Sequence, residues 1–237
     1  DHRDLHLSLR RQRQMCIRDS YATRQPAQKD NPPTTPTTAD NDKHTHTGAM
    51  GTHAAPIAIP HPNSDFPSLK NHFLLAMPGL RDPHFSQAVV YICEHSEVGA
   101  MGLVVNNQLN IPVKAIFDQL QLEYSDVTSS PLIFSGGPVQ GDRGFILHQN
   151  CTQKWESTVE ISQDISLTAS KDILSDIALG NGPEHSLITL GYSSWGPGQL
   201  EEEIVQNSWL TVPADSAIIF NTECKNRARA AASSVGI

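Results

Sequence analysis

From residue 69 onward, short apolar runs separated by turn residues dominate the chain, and a few helical patterns interrupt them. Residues 72–77 and 88–93 have the length and the β-branched or aromatic content of strands. Residues 101–105 follow a turn at Val98 and Gly99, which predicts a hairpin. Between 113 and 122, Val113, Ile116, Phe117 and Leu120 share one helical face. Residues 131–134 read as a strand broken by Gly136, Gly137 and Pro138; residues 144–148 and 157–161 read as two more. Thr168 or Ser170 would cap a helix reaching Leu179, where Gly180, Gly182 and Pro183 stop it. A strand over 186–192 then turns at Ser193-Ser-Trp-Gly-Pro-Gly198 into a helix over 197–206. Pro197 suits the first helical turn, and Glu201, Glu202 and Glu203 follow at the positive end of the helix dipole. Strands over 209–212 and 217–220 and an alanine-rich helix over 223–234 complete the pattern. A strand-rich first half followed by mixed elements predicts an α+β domain.

Composition changes that picture only at the N-terminus. Residues 1–68 hold none of the three tryptophans and are rich in Pro, Thr, Asp and His, so they offer too little apolar surface to offset chain entropy. They are expected to be a disordered or artefactual extension, with residues 69–237 forming one domain. Arg10 to Ser20 reads as translated non-coding sequence; Asp1, Asp4 and Asp19 argue against a transit peptide, and Met15 or Met50 is a candidate start. The extension is nearly neutral, whereas residues 69–237 carry 9 Lys/Arg against 18 Asp/Glu. An acidic domain repels phosphate backbones, so direct nucleic-acid binding is not expected. The four cysteines lack metal-type or disulfide-framework spacing, which favours a reducing cytosol. Apolar runs stay below the roughly 18 residues a membrane-spanning helix needs.

Several segments carry a family likeness: Met77-Pro-Gly-Leu-Arg-Asp-Pro-His-Phe85, Val90-Tyr-Ile-Cys-Glu-His95, Gly99-Ala-Met-Gly-Leu-Val-Val-Asn106, Gly136-Gly-Pro-Val139, Asp142-Arg-Gly-Phe-Ile-Leu-His148, and the block from Gly191 to Trp209. With these in one order over residues 69–237, the chain resembles the AlgH/YqgE family. The family usually has a tryptophan in its last helix, where this chain has Ala228. The resemblance implies a mixed, curved, partly barrel-like β-sheet with flanking helices. Its members are often labelled transcriptional regulators, and it brings neither an enzymatic activity nor a cofactor.

Residues with chemical potential divide into weak signals. Ser193 follows Gly191 as a nucleophile elbow requires, but Trp195 occupies the second glycine position of G-x-S-x-G, so the motif fails. Ser193 and Ser194 then read as turn residues. The glycine-rich stretch 136–144 reads as a loop between strands and lacks the Lys-Ser/Thr of a phosphate loop, although Arg143 suits a bidentate anion contact. Asp82, His84, Glu94, His95 and His148 lie near strand ends without short metal spacing, so no metal site is expected. Cys93 ends an apolar run beside Glu94 and reads as a core thiol; His44, His46 and His53 are weak chelators at most. The expected function is that of a non-enzymatic cytosolic regulatory or interaction protein, acting through a protein partner or small ligand without a cofactor. Its candidate cleft comprises Asp82, His95, Arg143, His148 and the Gly136, Gly137, Pro138 loop. The alternative is a hydrolase or transferase using His148 or His95 as base.

Overall fold

The computed structural model describes residues 66–125 and 131–237, so the readings of residues 1–65 lie outside the described residues. Its strands are β1 (His72–Ala76), β2 (Val89–Ser96), β3 (Gly99–Val104), β4 (Gln108–Pro112), β5 (Leu132–Ser135), β6 (Val139–Gln149), β7 (Thr158–Glu160), β8 (Ile165–Thr168), β9 (Ser186–Trp195) and β10 (Trp209–Pro213). Five α-helices accompany them among the described residues, α1 (Val113–Gln119), α2 (Asp172–Leu179), α3 (Gln199–Val205), α4 (Ser216–Phe220) and α5 (Arg227–Ser234), with a short 3-10 helix (Cys224–Asn226) leading into the last. The strands form one mixed sheet curled into a half-barrel, in the order β10-β1-β2-β3-β9-β6-β8-β7. The long strand β9 organises it. It runs antiparallel to β6 along most of its length, pairs with β3 near its end, and accepts β5, which also pairs β4, in parallel.

The period of two along each strand sorts side chains into separate cores. Phe73, Leu75, Tyr91, Leu103, Phe145, Leu147 and Leu187 point into the curl, where Ile218, Ile219 and Ala231 of α4 and α5 cover them. Leu74, Val90, Ile92 and Val104 point the other way and meet Trp195, Leu200 of α3 and Trp209. Farther along that outer face, Ile133, Ile146 and Ile188 pack against α1 and α2 through Phe117, Ile173 and Leu174. Burial on both faces explains why the strands read as continuous apolar runs without clean alternation.

Four expectations are corrected. Residues 217–220 form helix α4, because the Asp215 carboxylate accepts the Ala217 N–H at 2.8 Å and caps a turn directly after β10. Thr168 is a buried residue of β8, and α2 starts at Asp172 with no side-chain cap. The stretch 136–144 is not all loop, since β6 already begins at Val139. Ser193 and Ser194 belong to β9, whose pairing with β3 carries the strand on to Trp195. The ordered contacts also begin before residue 69: the Ser68 hydroxyl donates to the His95 carbonyl at 2.9 Å.

Candidate functional site

Gly136 and Gly137 belong to a close crossing of two chain segments. A Cβ on Gly136 would lie 2.3 Å from the Gly191 carbonyl oxygen, and one on Gly137 would lie 2.3 Å from the Tyr192 carbonyl carbon. Glycine is needed there for backbone approach. The Gly136 N–H donates to Leu190 O, and its own carbonyl accepts Val104 N–H, both at 2.8 Å. The Ser193 hydroxyl, with no exposed surface, donates to the same Gly136 carbonyl at 3.3 Å. Ser193 is therefore committed to the crossing, and Pro138 lies exposed beyond it.

The remaining residues of the expected cleft go to different places. Asp82 is exposed and accepts the His84 N–H at 2.8 Å, closing its own turn. Arg143 lies over the Phe145 ring, 5.2 Å from its centroid. His148, five positions on, points to the opposite side of β6, where its ring meets the edge of Trp155 at 5.2 Å. Only 1% of His148 is exposed. Its Nδ1 lies 2.9 Å from the Gln149 carbonyl and must be the protonated nitrogen; Nε2 then accepts the Thr168 hydroxyl at 2.9 Å. Thr168 Oγ1 is a further 2.8 Å from Thr158 Oγ1. Burial lowers the His148 pKa, the Gln149 carbonyl partly opposes this, and Lys154 adds to the fall. Cys93 is buried as expected, and burial pushes its thiol pKa up, with Glu94 adding to the rise and Lys70 opposing it. Among the described residues, no three His, Cys, Asp or Glu side chains gather as metal ligands would.

His95 sits between two chain segments. Its Nδ1 accepts the Leu69 N–H at 2.8 Å, so its Nε2 carries the proton and donates to Glu201 Oε1 of α3 at 2.9 Å. Two residues on, Glu203 Oε2 accepts both indole N–H groups, from Trp195 at 2.9 Å and Trp209 at 2.8 Å. The Gly191 to Trp209 block is thus a clamp that holds α3 to the outer face of the sheet.

A concave surface with polar lining lies elsewhere among the described residues. Between the two ends of the curled sheet, Lys70, Asn71, the Ser162–Asp164 turn, Ala214 and Ser216 surround an open cleft of about 440 Å³. None of the seven residues singled out from the sequence lines it. Beside it the buried Tyr91 hydroxyl donates to Asn71 Oδ1 at 2.9 Å, and burial drives the phenol pKa up, so it stays neutral. Asn71 holds a left-handed backbone, φ 61°, fixed by Asn71 N–H to Ile92 O and by Ala214 N–H to Asn71 O. Lys70 Nζ reaches the Glu160 carbonyl across the gap at 3.4 Å. The sequence hid this cleft because its turn joins β7 to β8, and β8 was not legible. Ser162-Gln-Asp164 before an apolar run was the available signal.

Comparison with known proteins agrees with this architecture. The profile described as AlgH-like matches residues 73–237. A UPF0301 protein of Saccharophagus degradans is 48% identical over 197 residues, covering 83% of this chain and 91% of the relative. A UPF0301 protein of Chromobacterium violaceum is 48% identical over 170 residues, covering 71% and 91%. The solution structure of the AlgH protein from Pseudomonas aeruginosa superposes with a TM-score of 0.62 at 43% identity, covering 74% of this chain and 93% of that one. A crystal structure of a Corynebacterium diphtheriae protein shares the fold at a TM-score of 0.52 and 19% identity, covering 64% and 78%. With the profile spanning the described domain and relatives near half identical along most of their length, the chain belongs to the AlgH-like, UPF0301 family.

Proposed function

We propose that this protein is a cytosolic regulatory or interaction protein that works by binding, with the cleft between the sheet ends as the site for a small polar ligand. One contrast supports the reading. Three groups that the sequence offered for nucleophilic or general-base chemistry, Ser193, His148 and Cys93, are buried and bonded inward. The cleft is lined by Lys70, Asn71, Ser162 and Asp164, with no histidine among the described residues of the lining; the Ser162 hydroxyl accepts the Asp164 and Ile165 N–H groups and Lys70 bonds the Glu160 carbonyl, an arrangement that suits orienting a ligand. An ammonium and a carboxylate in one lining suit a molecule carrying both an acidic and a basic or hydroxyl group. A cleft of about 440 Å³ is within the usual range for small molecules. The free thiols of Cys93, Cys151 and Cys224 suit the reducing cytosol. The hydrolase or transferase alternative would require His148 or His95 to reach a substrate, which their burial opposes.

The test is a titration of the ¹⁵N-labelled full chain with a panel of amino acids, sugar phosphates and nucleotides. Shifts are expected at Lys70, Asn71 and the Ser162–Asp164 turn for at least one compound, and Lys70→Ala should weaken them. Shifts elsewhere, or none, would reject the cleft. Conversion of a panel compound that disappears in His148→Gln would reject the non-enzymatic reading.

A further inference from the structure

We infer that His95 is an acid-sensitive latch holding the segment from Phe66 to Leu69 against the domain. Three contacts converge on this residue. Leu69 N–H donates to Nδ1 at 2.8 Å, the Ser68 hydroxyl donates to the His95 carbonyl at 2.9 Å, and the Phe66 ring meets the imidazole edge-on at 5.0 Å. The opposite nitrogen donates to Glu201 on α3. The imidazole is almost enclosed, with 2% of its side chain exposed.

The two ring nitrogens make the latch directional. In the neutral ring, Nδ1 offers one lone pair, and Leu69 N–H occupies it. A proton arriving at the ring must take that same lone pair. Nδ1–H then faces N–H, the hydrogen bond is lost, and the segment is pushed off. Glu201 assists the proton, because its carboxylate pairs with the imidazolium through Nε2–H. Docking of residues 66–69 and protonation of His95 are therefore competitive, so docking weakens as pH falls. The charged or titratable groups on the neighbouring elements are Glu201 on α3, Glu94 on β2, Glu97 in the following turn, and Lys70 and His72 at the start of β1. Of these, Glu201 bonds the ring, whereas His72 Nδ1 pairs with the Lys70 carbonyl at 3.1 Å.

The experiment measures amide exchange at Leu69 in the full chain from pH 8 to pH 5, corrected for intrinsic exchange, with the core amide of Thr189 as reference. One coupled proton allows at most about a tenfold change per pH unit. Protection at Leu69 should fall as pH drops, within that ceiling, and by more than at Thr189. His95→Asn places a non-titrating oxygen near the Nδ1 position and should abolish the difference between the two amides. His72→Gln should leave it intact. An equal loss at both amides in the wild type, a persistent difference in His95→Asn, or its disappearance in His72→Gln would overturn the latch. Should His95→Asn fail to fold, Glu201→Gln decides: it keeps an acceptor for Nε2–H and removes the charge, so release should shift to lower pH. An unchanged midpoint in that variant would reject the mechanism.

Discussion

Gly136 and His148 were both singled out from sequence as site residues, and in the structure both serve the interior. Gly136→Ala would drive a methyl group into the Gly191 carbonyl, a backbone atom that cannot rotate aside. The expected loss is about 3 kcal/mol, read from the urea midpoint, whereas Gly144→Ala meets nothing within 4 Å and should cost well under half of that. For His148 the prediction concerns pH. Its folded-state pKa is lowered by burial, so below the unfolded value of about 6.5 the unfolded chain binds a proton the folded one resists. Its contribution to stability is thus complete above that pH and is lost as pH falls toward the folded value. The slope from this residue cannot exceed about 1.4 kcal/mol per pH unit. His148→Gln should flatten the fall in midpoint between pH 7.5 and 5; an unchanged slope would reject the assignment. At this scale the failed serine motif was legible, since Trp195 alone decided it. The enclosure of His148 was not, because it depends on Thr168 and Trp155 arriving from elements distant in sequence.

Helix α3 shows how neighbouring residues of one type acquire unequal roles. Glu202 is exposed, whereas Glu203 accepts two buried indole N–H groups and the Gln199 amide. Glu203→Leu leaves both indoles without an acceptor and should cost about 3 kcal/mol in chemical denaturation. Glu202→Leu should stay within about 0.5 kcal/mol of the parent. Similar losses for both would dispose of the clamp. The sequence placed all three glutamates on a helix and both tryptophans near it, but gave no means of choosing which glutamate turns inward. Long apolar runs such as those of β2 and β9 announced themselves because both of their faces are buried. β4 did not, since Gln108, Asn110, Ile111 and Pro112 are exposed on an edge strand that pairs β5. β8 escaped because its four residues run into the helical pattern of α2. In α4, adjacent Ile218 and Ile219 read equally well as strand, and the capping Asp215 alone distinguished the two.

The curled sheet as a whole must close its concave side, and the chain does this with its last helix. Helix α5 packs against β1, β10 and α4, and contributes only alanines to the inner core: Ala231 in full, with Ala228, Ala230 and Ala232 partly buried. Methyl groups bury little area, so apolar contact alone holds this helix weakly. Arg227 supplies the missing tie. Its buried guanidinium donates to the carbonyls of Val105 and Thr222 and lies 5.1 Å from the Phe134 ring centroid, joining α5 to the end of β3 and to β5. Burial lowers its pKa, yet from the high intrinsic value of arginine the charge persists at neutral pH. Arg227→Ala should therefore cost about 2–3 kcal/mol by leaving inward-facing carbonyls unpaired. The loss should begin locally. Exchange at the Ala231 and Ala232 amides should accelerate more than at Thr189 in β9, because α5 detaches before the sheet opens. Arg229→Ala, which removes an exposed contact to Asn226 just before the helix, should change neither. If Arg227→Ala raised exchange uniformly, α5 and the sheet would be one cooperative unit and the tie would have no separate role.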